Sequence, residues 1–287
     1  KNRKNLTERD SHMTNFNFNK IKAVGCAAAL ALFSLSAPAS AEADKVSGSA
    51  SYSFNSHFVS YGLDVWGGGD DFYGSQATSF LSTDMTIDLS PISLNMGVWS
   101  DVNDNVVSGI GGKIQEVDVW VGLSADVGRF NLGVTYQQWY YAGDNEGIVD
   151  LKIAFDDSDL LPISLSPSLT WHFRVDGNGA QEKSSAIVLA ISPSFTLVND
   201  DTYPVTLSIP AGVAFFVDKD FQGGDKSGVG YFYIGASLGV PLAFIDPAYG
   251  DWSMNFDVTY YNSSPRAIPG NVEDDFFTGS VGIAVGF

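Results

Sequence analysis

The sequence predicts an all-β protein, a transmembrane antiparallel up-and-down β-barrel of about 12 strands, preceded by a cleaved signal peptide. Three observations lead there. Apolar residues fall on alternate positions along most of the chain, the period of a strand with two different faces. The connections between alternating segments are short and long in turn. The N-terminal region carries an export signal, and the mean hydropathy of +0.05 with 17% charged residues is unusually apolar for so acidic a chain.

The elements follow in order. Residues 1–12 are polar and read as an upstream segment. Residues 13–41 read as a Sec signal peptide: Lys20 and Lys22 precede a mostly apolar run over 23–35, and Ala39-Ser40-Ala41 supplies a small-x-small cleavage site. A transmembrane helix needs about 20 apolar residues, and Pro38 closes this run first. Cys26, the one cysteine, lies near the start of the run, whereas a lipoprotein acceptor would follow it. Residues 42–287 are expected to form the barrel. Six of the 15 basic residues and two of the 33 acidic ones precede residue 42, which leaves nine against 31 and a net charge of −22. Such a chain repels nucleic acid, and having left the cytoplasm it uses no disulfide.

Strands are expected at 46–62, 75–89, 92–101, 113–127, 130–141, 147–156, 163–174, 184–197, 203–216, 229–242, 252–262 and 273–287. Most run roughly ten to fifteen residues, about the length needed to cross a bilayer at a tilt. The turns "SPI", "GR", "DSDLLP", "NDDTY" and "IDPAYG" are short and rich in turn formers. They alternate with the longer "GGGDDFYG", "VNDNVVSGIGG", "AGDNE", "VDGNGAQEK", "DKDFQGGDKSG" and "SSPRAIPGN". Both termini then lie on the side of the short turns, as in outer-membrane barrels. Aromatics near strand ends, among them Tyr61, Trp66, Trp139, Tyr140, Tyr141 and Trp171, read as interfacial girdles. Further along, Phe173, Tyr231, Phe232, Tyr233, Trp252, Tyr260 and Tyr261 read the same way.

Alternation assigns faces, because successive side chains point to opposite sides. Val117, Val119, Val121, Leu123 and Ala125 share one face of the fourth strand, and Glu116, Asp118 and Asp126 the other. A carboxylate in lipid is costly, so the acids belong to the lumen. The same logic places Asp84, Asp88, Asp101, Asp150 and Asp257 inside, against Lys152 and Arg174. Ser, Thr and Gly dominate the remaining inward positions, and His172 is expected on the same wall. Eight acids against two bases make the lumen net negative, which favours cations. The last strand, "FFTGSVGIAVGF", sends Val281, Ile283, Val285 and Phe287 to lipid. Its terminal Phe287 matches the signal that the barrel-assembly machinery reads in outer-membrane proteins as a class.

Catalytic and metal motifs are weak. His57 and His172 are the histidines of 42–287, and no G-x-S-x-G accompanies them, so catalysis is not expected. Asp101, Asn103, Asp104 and Asn105, and separately Asp218, Asp220 and Asp225, gather oxygens that suit Ca²⁺, yet neither loop completes the usual ligand pattern. Neither a metal nor another cofactor is expected. "GGGDD" and "GIGGK" precede no helix that would cradle a phosphate.

The segments "SHFVSYGLDVWGG", "LNMGVWSDVNDN", "IQEVDVWVGLSADVGRFNLGVTYQQWYY" and "GIVDLKIAF" resemble the TorF-type porins (the Gcw_chp family). The matching positions are Gly97–Val102, Glu116–Gly122 and Tyr136–Tyr141, and the likeness covers roughly residues 50–160. The resemblance implies an outer-membrane channel of undefined substrate, with no catalytic residue to carry over. The expected partners are the lipid bilayer, lipopolysaccharide, the assembly machinery and small hydrophilic solutes. Acidic loops bridging lipopolysaccharide through divalent ions on a non-conducting barrel are the alternative.

Overall fold

The computed structural model describes residues 45–72, 76–141, 143–177, 183–200 and 203–287. The upstream segment and the signal peptide lie outside them. Twelve antiparallel strands among the described residues close into an up-and-down barrel. They are β1 (Val46–Asn55), β2 (Thr78–Asp88), β3 (Ser93–Val102), β4 (Ile114–Val127), β5 (Phe130–Tyr141) and β6 (Asp144–Phe155). Next come β7 (Ser168–Asp176), β8 (Ser185–Ile191 and Ser194–Val198) and β9 (Val205–Ser208 and Ala211–Phe216). The last three are β10 (Gly228–Pro241), β11 (Asp251–Ser263) and β12 (Asp275–Gly286).

Each strand pairs with its sequence neighbours, and β1 closes the ring against β12 from Ser49↔Gly286 to Asn55↔Ser280. This pairing leaves neither the first nor the last strand as a free edge at the seam. Phe287 extends the seam, donating its N–H to Gly48 O at 3.0 Å and accepting from Gly48 N at 2.9 Å. Its ring lies over Gly48, where a Cβ would come within 2.6 Å of it.

Outward positions carry exposed apolar side chains all round the wall, among them Val121, Leu132, Ile153, Leu189, Ile234 and Ile283. A contiguous apolar band of this extent is not a surface that water supports.

Four strands differ from the sequence expectation, each for a local reason. β1 ends at Asn55, not 62. Tyr61 and Gly62 both take positive φ, 47° and 81°, and join the two-residue strands Val59–Ser60 and Leu63–Asp64 into a tight hairpin. Two consecutive positive φ values are the turn geometry that matches strand twist. The expected strand over 163–174 begins at Ser168. Asp157 holds the preceding turn, accepting from Ser164 Oγ at 2.5 Å, Leu165 N at 2.9 Å and Ser166 N at 3.0 Å, and Pro162 and Pro167 bring no N–H to a ladder. β8 and β9 are each interrupted, at Pro193 and Pro210, for the same missing donor.

Candidate functional site

The lumen has two zones. At the turn end, which also holds both ends of the barrel chain, the inward residues are small and polar. The register sets Ser49 beside Asp84, Ser237 beside Asp257 and Asp257 beside Ser280. Ser280 Oγ donates to Asp257 Oδ2 at 2.7 Å, and Asn95 bridges Thr86 and Ser124 at 3.0 Å each. Asp84 is exposed although it sits on the inner face of a closed wall, so this zone is open to water. Asp88 and Asp126 stand at its rim, and Asn131 Nδ2 donates to Asp126 at 2.8 Å. Lys152 lies beside Gly133 and Thr170 and is exposed.

At the loop end the lumen is filled. Residues 56–64 do not continue the wall but drop inside it. Phe58 rests on Phe80 and Trp99, with ring centroids 5.5 and 5.1 Å away. Tyr61 meets His172, Phe221 and Trp139 at 4.1, 5.5 and 6.4 Å. His57 stacks on Phe276. Side chains from later loops grip the hairpin's main chain. Asn271 donates to Gly62 O at 2.9 Å and accepts from Asp64 N at 2.8 Å, while Gln222 donates to Ser60 O at 2.9 Å. Gly62 has no space for a side chain, since a Cβ there would come 2.5 Å from Tyr231. Phe221, Ala267 and Ile268 from the last two long loops complete an apolar core with Phe216 and Tyr231.

Charged groups ring this plug in a connected layer. Arg174 Nε donates to Glu146 Oε2 at 2.7 Å, and its Nη1 reaches Ser184 Oγ and Phe221 O at 2.9 Å. Tyr141 OH donates to the other Glu146 oxygen at 2.6 Å. His172 Nδ1 lies 2.7 Å from Asp150 Oδ1 and also meets Tyr61 OH. Asp101 is fully buried and accepts from Thr78, Trp66 Nε1 and Asn103 Nδ2. The register places Glu116 between Asp101 and Tyr141, and Asp118 between Trp99 and Trp139.

The sequence-derived residues therefore divide between the zones. Asp84, Asp88, Asp126, Lys152 and Asp257 lie toward the turn end, and Asp101, Glu116, Asp118, Asp150, His172 and Arg174 surround the plug. Glu146 escaped the sequence reading because the sixth strand was expected to start one residue later. Tyr61, Trp66, Trp139, Tyr141, Tyr231, Tyr233 and Tyr261, expected in outer girdles, belong to the lumen or the plug. Tyr140, Trp171, Phe173, Phe232, Trp252 and Tyr260 occupy the outward register positions. The signal that separates the sets is parity with a neighbouring acid: Trp139 and Tyr141 pair with Asp118 and Glu116.

The candidate metal loops use their oxygens elsewhere. Asp104 pairs with Lys113 at 2.7 Å and Asp225 with Arg266 at 3.0 Å. The cation beside each, through its hydrogen bond, holds the carboxyl below its usual range. Asp218 accepts from Ser185 N at 2.8 Å. The Gly69 carbonyl 3.0 Å from His57 Nε2 only accepts, so Nδ1 accepts from Ser56 Oγ at 2.8 Å, and Ser56 Oγ in turn accepts from Gly279 N at 2.8 Å.

No family model and no curated protein sequence matches the chain. Solved structures similar to it include two porins and an outer membrane channel. The NanC porin shares 10% identity, with 84% of this chain and 98% of that one covered and a TM-score of 0.45. The KdgM porin in complex with disordered oligogalacturonate shares 10% identity over 84% and 99%, at 0.46. An outer membrane channel from Pseudomonas putida F1 shares 11% over 85% and 96%, at 0.48. At this level the likeness is one of chain path, and what those proteins carry is theirs.

Proposed function

We propose that the chain is a porin-like channel of the outer membrane for passive diffusion of small hydrophilic solutes, with a preference for cations. The observation that carries this reading is the exposed Asp84 inside a closed wall, where Ser49 lies beside it and, three strands round the ring, Asp257 lies beside Ser280. A wall built for rigidity would fill its interior with bulk. The apolar outer band supports placement in lipid, where a closed barrel is one of two backbones that satisfy their own hydrogen bonds. The excess of inward acids supports cation preference, because acids lining a narrow low-dielectric passage concentrate counter-ions. The hairpin at 56–64 then acts as the constriction that solutes pass or displace.

A second reading, a non-conducting barrel with acidic outer loops, is favoured by the buried core around Phe221 and Ile268. Single-channel recording of the refolded protein in planar bilayers separates the two. Discrete conductance steps, absent from heat-denatured protein, support the channel. A folded, inserted barrel that passes no current supports the alternative.

A further inference from the structure

The lipid-facing wall is not uniform. Across β8, β9 and β10 it sinks into an apolar trough of about 570 Å³, flanked by Leu189, Ile191, Val213, Phe232 and Ile234. The register sets Ala211 between Ile191 and Ile234, so a methyl lies between two larger side chains.

The trough ends at Pro167 and Ser168, where the barrel's ladder is interrupted. The lower segment of β8, Ser194–Val198, pairs with Val205–Ser208 on one side. Among the described residues no ladder joins its other edge, since Asp157 holds 164–166 in a turn. The bond from Ser192 N to Leu165 O, 2.8 Å, marks the start of the interruption. Main-chain groups at such an edge must find partners when lipid surrounds them. An apolar trough beside an open polar edge calls for an occupant with both a hydrocarbon chain and a polar end.

We propose that this trough is a binding site for one membrane phospholipid, with an acyl chain along Ala211 and the polar head beside the 163–167 edge. The proposal rests on the membrane-spanning reading above. Two features favour phospholipid: the trough is continuous with the lipid-facing wall, and its edge lies at the turn end, the periplasmic side in an outer-membrane barrel. A second copy of the chain fits less well, because two convex barrel walls meet at their bulges and leave a hollow unfilled.

The test uses the purified barrel with its native lipids. Heat-modifiable migration and insertion into phospholipid vesicles check fold and membrane placement separately. Native mass spectrometry after detergent exchange is expected to find one phospholipid per chain on the parent. Ala211→Trp, which fills the trough, loses it, and Ala50→Trp, at an outward position on β1, keeps it. A phospholipid with a photoreactive group on its acyl chain, applied to the unaltered protein, labels 187–193 and 209–215 above the rest of the wall. The proposal is overturned if the inserted parent retains no phospholipid, if Ala211→Trp folds and retains as much, or if label spreads evenly. Recovery of a chain dimer with the trough covered would also overturn it.

Discussion

Phe221 shows most directly what single residues do here. It is fully buried, touches Tyr61, His172 and Phe216, and lies 4.9 Å beneath the Arg174 guanidinium. Truncating a buried aromatic of this kind costs about 3–5 kcal/mol. Because these contacts lie inside the barrel and not on its ladder, the loss falls on the plug. Phe221→Ala is expected to raise open-channel conductance or its frequency in planar bilayers while heat-modifiable migration stays intact. Unchanged conductance in a folded variant would show that the plug does not limit passage. Much at this scale was legible. The parity of Asp84, Glu116, Asp118 and Asp150 follows from strand period alone. What contacts them was not legible: Arg174 meets Glu146, 28 positions away, and Tyr61 meets His172, 111 away. One sequence carries no information on such pairings until the register is known.

The turn between β6 and β7 shows how a single carboxylate can decide an element's start. Asp157 is held below the usual carboxyl range, first by the Ser164 hydroxyl and then by the Leu165 and Ser166 N–H groups. A lowered folded value means that the stabilisation is fully present above the unfolded carboxyl value of about 3.9. It fades as pH falls through the lower folded value. Protection of the Leu165 and Ser166 amides, relative to their intrinsic exchange rate at each pH, should therefore fall in acid before that of β4 or β5. Equal protection at all pH values would contradict the role given to Asp157. The pattern "ISLSPSLTWHF" alternates through 163–173, so periodicity alone extends the strand through a turn that hydrogen bonds have captured. The first loop misleads in the same way. "SHFVSYGLD" keeps strand period past Asn55, and only the Tyr61-Gly62 pair, with a glycine suited to positive φ, marks the reversal.

For the whole molecule, closure is the decisive property, and it depends on a seam with little to spare. A Cβ on Gly48 would come within 2.6 Å of the Phe287 ring and 2.8 Å of the Asp84 carbonyl. Gly48→Val is expected to lower the temperature at which the folded band converts to the unfolded one on a denaturing gel, while Ala50→Val, an outward neighbour, changes it little. Equal melting of the two would show that the seam tolerates bulk at that point. The strand count and the alternation of turns and loops were readable because a barrel repeats one local rule many times. The filled loop end was not readable, because it depends on three segments distant in sequence meeting in space. The central claim is that inward acids govern what passes. The reversal potential of the reconstituted protein in a salt gradient tests it most directly. A sign showing cation preference is expected, shrinking toward about 1 M salt, where the Debye length is near 3 Å, and weakened when Asp84→Asn is combined with Asp257→Asn. Anion preference in the parent, or selectivity untouched by removing both carboxylates, would contradict it.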